Sequence, residues 1–117
     1  MSKSNEGKPV IIYDEQGNPE YTLAFTRSTV EFAEKRGFKI RDVADFPVNN
    51  IKDLFHFAFR ANHKGMNQGD TDRIFDELRV NRQNLLQRLL ELYSEPLDSL
   101  MDDTSNDAKN FKRAVEL

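Results

Sequence analysis

The 117-residue chain contains no cysteine and no tryptophan, and it has only five glycines and four prolines. Without cysteine, disulfide scaffolds, thiolate zinc sites and cysteine nucleophiles are excluded. No apolar run approaches the roughly 20 residues that span a bilayer. Residues 1–7 also lack the apolar stretch of a signal peptide. We therefore expect a soluble, intracellular protein whose length fits one domain with a single core.

The chain also lacks a large excess of either charge, since the net charge is −3 and the sequence pI is near 5.4. This balance gives no general attraction toward nucleic acid or an anionic membrane. What the chain does have is nine phenylalanines. The core is therefore expected to consist mainly of Phe and Leu.

Two β-branched and aromatic segments, residues 9–13 and 20–26, flank the dense turn sequence of residues 14–19. This pattern predicts a β-hairpin. Tyr21, Leu23 and Phe25 alternate with small or polar residues, so one face of the hairpin would lie on the core. A lone hairpin is marginal in water and needs helices to cover it.

A helix should follow the hairpin, because Ser28 and Glu31 have the spacing of a capping box. It would run to about Arg36, with Gly37 as a left-handed stop. Residues 38–43 are compatible with either a short extended piece or one helical turn. Pro47 would end that piece.

The second helix, from Ile51 to about Asn62, is rich in Phe. Asn49 or Asn50 would cap it and Gly65 would terminate it. Its apolar residues cover a continuous arc of about 200° at 100° per residue, so it must be central. That arc comprises Ile51, Leu54, Phe55, Phe57, Ala58, Phe59 and Ala61.

Two more helices complete the pattern, one opened by Asp70 or Thr71 and one capped by Asn81. Pro96 either kinks the last helix or opens a short second one in line with it. The predicted fold class is α+β, mostly α, with an N-terminal β-hairpin packed on a bundle of about four helices. Residues 9–101 would be the globular domain, between a flexible N-terminus (1–8) and a polar linker with a C-terminal tail (102–117).

The sequence contains only weak candidates for a metal site or a catalytic site. His56 and His63 are seven residues apart, roughly 10 Å along a helix, too far for one metal ion. We interpret both as solvated surface histidines. Asp70, Asp72 and Asp76 begin like a calcium loop, but the required glycine and final glutamate are missing. No activated nucleophile and no phosphate loop is present. The sequence predicts no enzyme, no metal and no cofactor.

A helix-turn-helix could be formed by the last two helices, but residues 70–103 contain nine acidic residues and four arginines, a net charge of −5. Phosphate binding requires the opposite sign, so we expect no nucleic-acid partner. Apolar surface is the remaining feature. The edges of the apolar arcs, at Phe57, Phe59, Leu90 and Met101, are the predicted protein interface, although mutual burial within the domain explains most such residues.

Residues 26–34 (TRSTVEFAE) and the run from Phe46-Pro47 through Leu54-Phe55 to residues 59–63 (FRANH) carry a family resemblance. They resemble the tail assembly chaperones encoded by long-tailed phages and prophages of Gram-positive bacteria. The end of the chain, residues 115–117 after a polar linker, is similar too. The resemblance covers most of residues 20–117 and includes no catalytic signature.

The resemblance implies a protein that acts in the host cytoplasm and is absent from the mature virion. It would bind the tape measure protein and would tend to self-associate. A frameshift-extended form would contact the tail tube protein, and this chain, ending at Leu117, would be the short form. Two alternatives stay open: a structural head–tail junction or tail terminator protein of the virion, and a small DNA-binding regulator.

Overall fold

The computed structural model describes residues 8–101, which form a two-stranded antiparallel hairpin followed by five helices. The predicted α+β, mostly α class is confirmed. The flexible N-terminus and the C-terminal linker and tail that the sequence predicts lie outside the described residues, apart from Lys8. In chain order the elements are β1 (Val10–Tyr13), β2 (Pro19–Leu23), α1 (Arg27–Lys35), α2 (Asp42–Asp45), α3 (Pro47–Phe59), α4 (Gln68–Glu77) and α5 (Arg82–Met101).

The hairpin turn is held by one side chain. Asp14 Oδ1 accepts hydrogen bonds from the backbone N–H groups of Gln16 (2.9 Å) and Asn18 (2.8 Å). Gly17 adopts φ +84°, a left-handed conformation that favours glycine. Asp side chains commonly stabilise turns in this way, which is why the turn was predictable from sequence.

The outer edge of β2 is closed by the C-terminal end of α3 and by the residues that follow it. Ala24 N–H donates to the Ala58 carbonyl (3.0 Å). Asn62 Nδ2 donates to the Thr22 carbonyl (3.1 Å), and Thr22 N–H donates to His63 Nε2 (3.0 Å). These bonds satisfy polar groups that an edge strand would otherwise expose.

Helix α3 is central, as the sequence predicts, since it packs against every other helix and against β2. Its apolar arc is largely buried, and its rings stack edge-to-face with those of neighbouring elements. Phe55 contacts Phe75 of α4 (5.3 Å between centroids) and Phe59 contacts Tyr21 of β2 (5.4 Å). The α3 residues in the core are Ile51, Leu54, Phe55, Ala58 and Phe59.

Three of the predicted helix starts are wrong by a few residues. Thr26, not Ser28, caps α1, because Thr26 has extended backbone and its Oγ1 accepts from Thr29 N–H (3.2 Å). Helix α3 starts at Pro47, four residues before the predicted start, because proline at the first helical position loses no intrahelical hydrogen bond. Asn67 caps α4, where its Oδ1 accepts from Asp70 N–H (2.8 Å).

Of the other predicted helix boundaries, two are confirmed and one is wrong. Asn81 Oδ1 accepts from Asn84 N–H (3.1 Å), as predicted for a cap. Gly37 has φ +93° just after α1, which confirms the left-handed stop. Helix α3 ends at Phe59 rather than near Asn62, and Pro96 lies within one continuous helix α5. The ambiguous segment, residues 38–43, overlaps α2, a single helical turn over Asp42–Asp45.

Candidate binding surfaces

The four predicted interface residues do not form one surface. Phe59 is 1% exposed and lies in the core, so it is withdrawn from the interface. It was misplaced because the angular count treats α3 alone, whereas β2 covers this side of the helix. Phe57 is half-buried between the rings of Phe32 (6.1 Å) and Phe38 (5.5 Å). Of the three that remain, only Leu90 and Met101 share an element.

Leu90 and Met101 belong to a stripe of incompletely buried apolar side chains on α5. At 100° per residue they lie about 20° apart around the helix axis. Met101 is 75% exposed, and Leu90 is half-buried at the edge of the core. Helix α5 packs chiefly on α1 and α3. Leu86, Leu90 and Leu97 are half-buried against the core, so only part of each side chain is open to a partner. We call Leu86, Leu90, Leu97 and Met101 the α5 stripe.

A second surface is a groove between α1 and the C-terminal end of α3, which sequence reasoning did not identify. It consists of two adjoining cavities of about 490 and 510 Å³ that share Phe32, Arg60 and Lys64 in their walls. Lys35 lines the first cavity and Arg36 lines the second. We call this the cationic groove. Glu31 is the one carboxylate residue among the described residues that line it.

Phe32 of α1 positions two of the cations. The Arg60 guanidinium carbon lies 3.6 Å from the centre of the Phe32 ring, and that of Arg36 lies 4.8 Å from it. Such cation–π contacts each contribute about 0.5–1 kcal/mol at exposed sites. They hold the guanidinium groups in place and leave N–H donors for a ligand.

The cations of the groove have no ion-pair partner within residues 8–101. In the part of the chain that the structure describes, Lys35, Arg36, Arg60 and Lys64 make no ion pair. Elsewhere in residues 8–101, ion pairs join Lys52 to Asp76 (3.1 Å), Arg73 to Asp70 (3.7 Å) and Arg88 to Glu91 (2.8 Å). The groove therefore concentrates positive charge on a protein with net negative charge.

The interpretation of both histidines as solvated surface residues is wrong, since each is half-buried and hydrogen-bonded. His56 Nδ1 lies 2.8 Å from Thr71 Oγ1 and joins α3 to α4. His63 Nε2 accepts from the Thr22 N–H (3.0 Å) and joins the α3 end to the hairpin. Because α3 ends at Phe59, His63 does not lie on the same helix as His56, which the predicted spacing assumed.

The aspartates of the failed calcium pattern have local partners. Asp70 is 3.7 Å from Arg73 Nη2, Asp72 accepts from Gln68 Nε2 (2.9 Å), and Asp76 pairs with Lys52. Across residues 8–101, no three His, Asp or Glu side chains cluster in a way that could hold a metal ion. No helix in that same range has the length and apolarity to cross a membrane.

Burial shifts the pKa values of two α3 side chains, His56 and Asp53. Burial lowers the pKa of His56 below its usual 6.5, and Arg36 adds to this, while Asp72 and Asp53 oppose it. Burial, followed by the Asp72 charge, raises the pKa of Asp53 above 3.8. Both shifts favour the uncharged forms of these two side chains.

We expect the protein to be less stable in acid because the pKa of His56 is lowered in the folded state. Because its folded pKa is lowered, the unfolded chain binds a proton first as pH falls through 6.5, so this contribution to stability is lost on acidification. We expect His56→Gln to reduce the loss of unfolding free energy between pH 7.5 and 5.5 by a few tenths of a kcal/mol, since the site is partly solvated. Urea unfolding at several pH values measures this difference. An identical pH dependence in both proteins would contradict it.

The fold and these surfaces define a small helical domain with two candidate binding surfaces. In a comparison with known protein families, the model of a domain of unknown function, DUF5055, matches residues 1–117. The chain belongs to the DUF5055 family. No curated protein and no solved structure matches it.

Proposed function

We propose that this protein is a tail assembly chaperone of a long-tailed phage or prophage, and that it binds the tape measure protein in the host cytoplasm before tail tube subunits polymerise. Two things support the proposal. The first is the resemblance of residues 26–34 and 46–63 to such chaperones. The second is the α5 stripe, the single structural observation that carries it, because it offers a client an apolar helix face.

The α5 stripe suits a helical client for a physical reason. An apolar row along a helix accepts another amphipathic helix through non-directional contacts, so many client sequences can be tolerated. The stripe runs from Leu86 to Met101, a rise of about 22 Å at 1.5 Å per residue, or four turns. Methionine and leucine side chains adapt to irregular partners, as at other promiscuous binding surfaces.

Co-expression tests the proposal. The full chain should keep the tape measure protein encoded in the same tail gene cluster in the soluble fraction, and the two should co-purify. Replacing Leu90 and Met101 together by glutamine should reduce the co-purified client about tenfold or more, because two apolar contacts of about 1 kcal/mol each are lost. Met101→Gln alone should give a smaller loss with unchanged thermal stability, since Met101 is 75% exposed.

The matched control is Glu95→Gln, an exposed position about 150° from the stripe around the same helix. It should leave client binding unchanged. If the client neither co-purifies nor gains solubility with the wild-type chain, the chaperone proposal is wrong. If the chain is instead abundant in purified virions, it is a structural junction or terminator component.

A further inference from the structure

Within the described residues, the structure shows no contribution of the cationic groove to the folding of the domain. Its four cations lie at the C-terminal ends of two helices, with Lys35 and Arg36 at the end of α1 and Arg60 and Lys64 beyond the end of α3. Bringing like charges together without carboxylate partners opposes folding. A bound anion would remove that repulsion.

The chemistry of the groove favours carboxylates. Arginine presents N–H donors in a planar fork that pairs with carboxylate or phosphate oxygens, and the stack on Phe32 holds the Arg60 fork in place. Lys64 is exposed beside it and adds a flexible charge. Each such charge-assisted hydrogen bond is roughly twice as strong as a neutral one.

The shape of the groove favours an extended ligand. Its two cavities adjoin at Phe32, Arg60 and Lys64, and they reach from the first turn of α1 at Ser28 to the start of α4 at Gln68. Along α1 alone, residues 28–35 rise by about 10 Å. A single phosphate would fill only a part of this length, whereas a peptide carrying several carboxylates would fill it.

Nucleic acid fits less well. Single strands bind through aromatic rings whose faces are open for base stacking. Here the Phe32 ring already carries Arg60 and Arg36, and Phe57 packs at 6.1 Å from it in an edge arrangement. The net charge of −3 also opposes approach to a polyphosphate chain.

We propose that the cationic groove binds an acidic segment of a partner protein, whose side-chain carboxylates pair with Arg36, Arg60 and Lys64. This surface is separate from the α5 stripe, and the proposal does not depend on the tail assembly role.

Fluorescence polarisation with a labelled peptide of alternating glutamate and serine tests this on the full chain at low salt. We expect saturable binding that weakens as sodium chloride is added. Replacing Arg60 and Lys64 together by glutamine should lower the affinity about tenfold or more. Lys64→Gln alone, at an exposed position without a cation–π contact, should lower it several-fold and leave the thermal midpoint unchanged.

The matched control is the pair Arg41→Gln and Arg79→Gln, which changes the net charge equally at exposed positions outside the groove. Binding should be nearly unaffected in this control. Three results would overturn the proposal: no binding of the acidic peptide by the wild-type chain, an equal loss of affinity in the control, or preferential binding of a single-stranded oligonucleotide of the same charge.

Discussion

Replacing Phe55 by alanine should lower the free energy of unfolding by about 3–5 kcal/mol, the largest effect we expect from a single substitution. The side chain is fully buried in α3, and its ring contacts Phe59 (5.1 Å) and Phe75 (5.3 Å) edge-to-face. Alanine would leave a cavity between α3 and α4 that the surrounding rings cannot fill. Domains of this kind are stable by only about 5–15 kcal/mol, so the loss would be a large fraction of the total stability.

Urea unfolding followed by far-ultraviolet circular dichroism measures this loss. Phe46→Ala is the matched control, because it removes the same atoms from a side chain that is 60% exposed. The control should change the unfolding free energy by less than about 1 kcal/mol. Equal losses in the two variants would mean that the α3–α4 contact is not part of the cooperative core.

Tyr93→Phe should raise the free energy of unfolding by about 1–3 kcal/mol, which is the cost of burying a hydroxyl without a partner. Tyr93 is fully buried in α5, and its ring packs against Phe25 (5.0 Å) and Phe38 (5.8 Å). Its hydroxyl has no hydrogen-bond partner among the described residues. Phenylalanine keeps both ring contacts and removes only the oxygen.

The stability of the protein at alkaline pH provides a second test of the buried Tyr93 hydroxyl. Burial, and then the charge of Glu34, raises the pKa of Tyr93 to about 12. Between pH 10 and 12 the unfolded chain therefore loses this proton before the folded chain does, so the wild-type protein loses stability as pH rises. Tyr93→Phe lacks this loss. If the variant is instead less stable at pH 7 than the wild type, the hydroxyl makes a hydrogen bond that stabilises the fold.

Local periodicity was enough to predict the burial of α3. Spacing alone placed Leu54, Phe55 and Ala58 on one apolar arc, and all three are buried. The helix starts were harder because several residues near each start can cap equally well. Thr26 and Ser28 both carry a hydroxyl, and only the extended backbone at Thr26, next to the hairpin, decides between them.

Long-range contacts were beyond the sequence. His63 was interpreted as a solvated surface residue, but the chain leaves α3 at Phe59 and brings the imidazole to Thr22, 41 positions earlier. The same holds for the cationic groove. The pairs Lys35-Arg36 and Arg60-Lys64 are visible in the sequence as charges, yet nothing local indicates that they line one groove.

The sequence by itself determined the elements of this protein: the hairpin, the order of the helices, the Phe-rich central helix and the left-handed glycine after α1. These follow from turn chemistry and from hydrophobic periods that depend only on neighbouring residues. The tertiary structure decided which apolar edges are covered, which histidines are buried and which cations share a groove. Those features depend on how α3 packs against α1 and β2, and residues distant in sequence meet only when the core has formed.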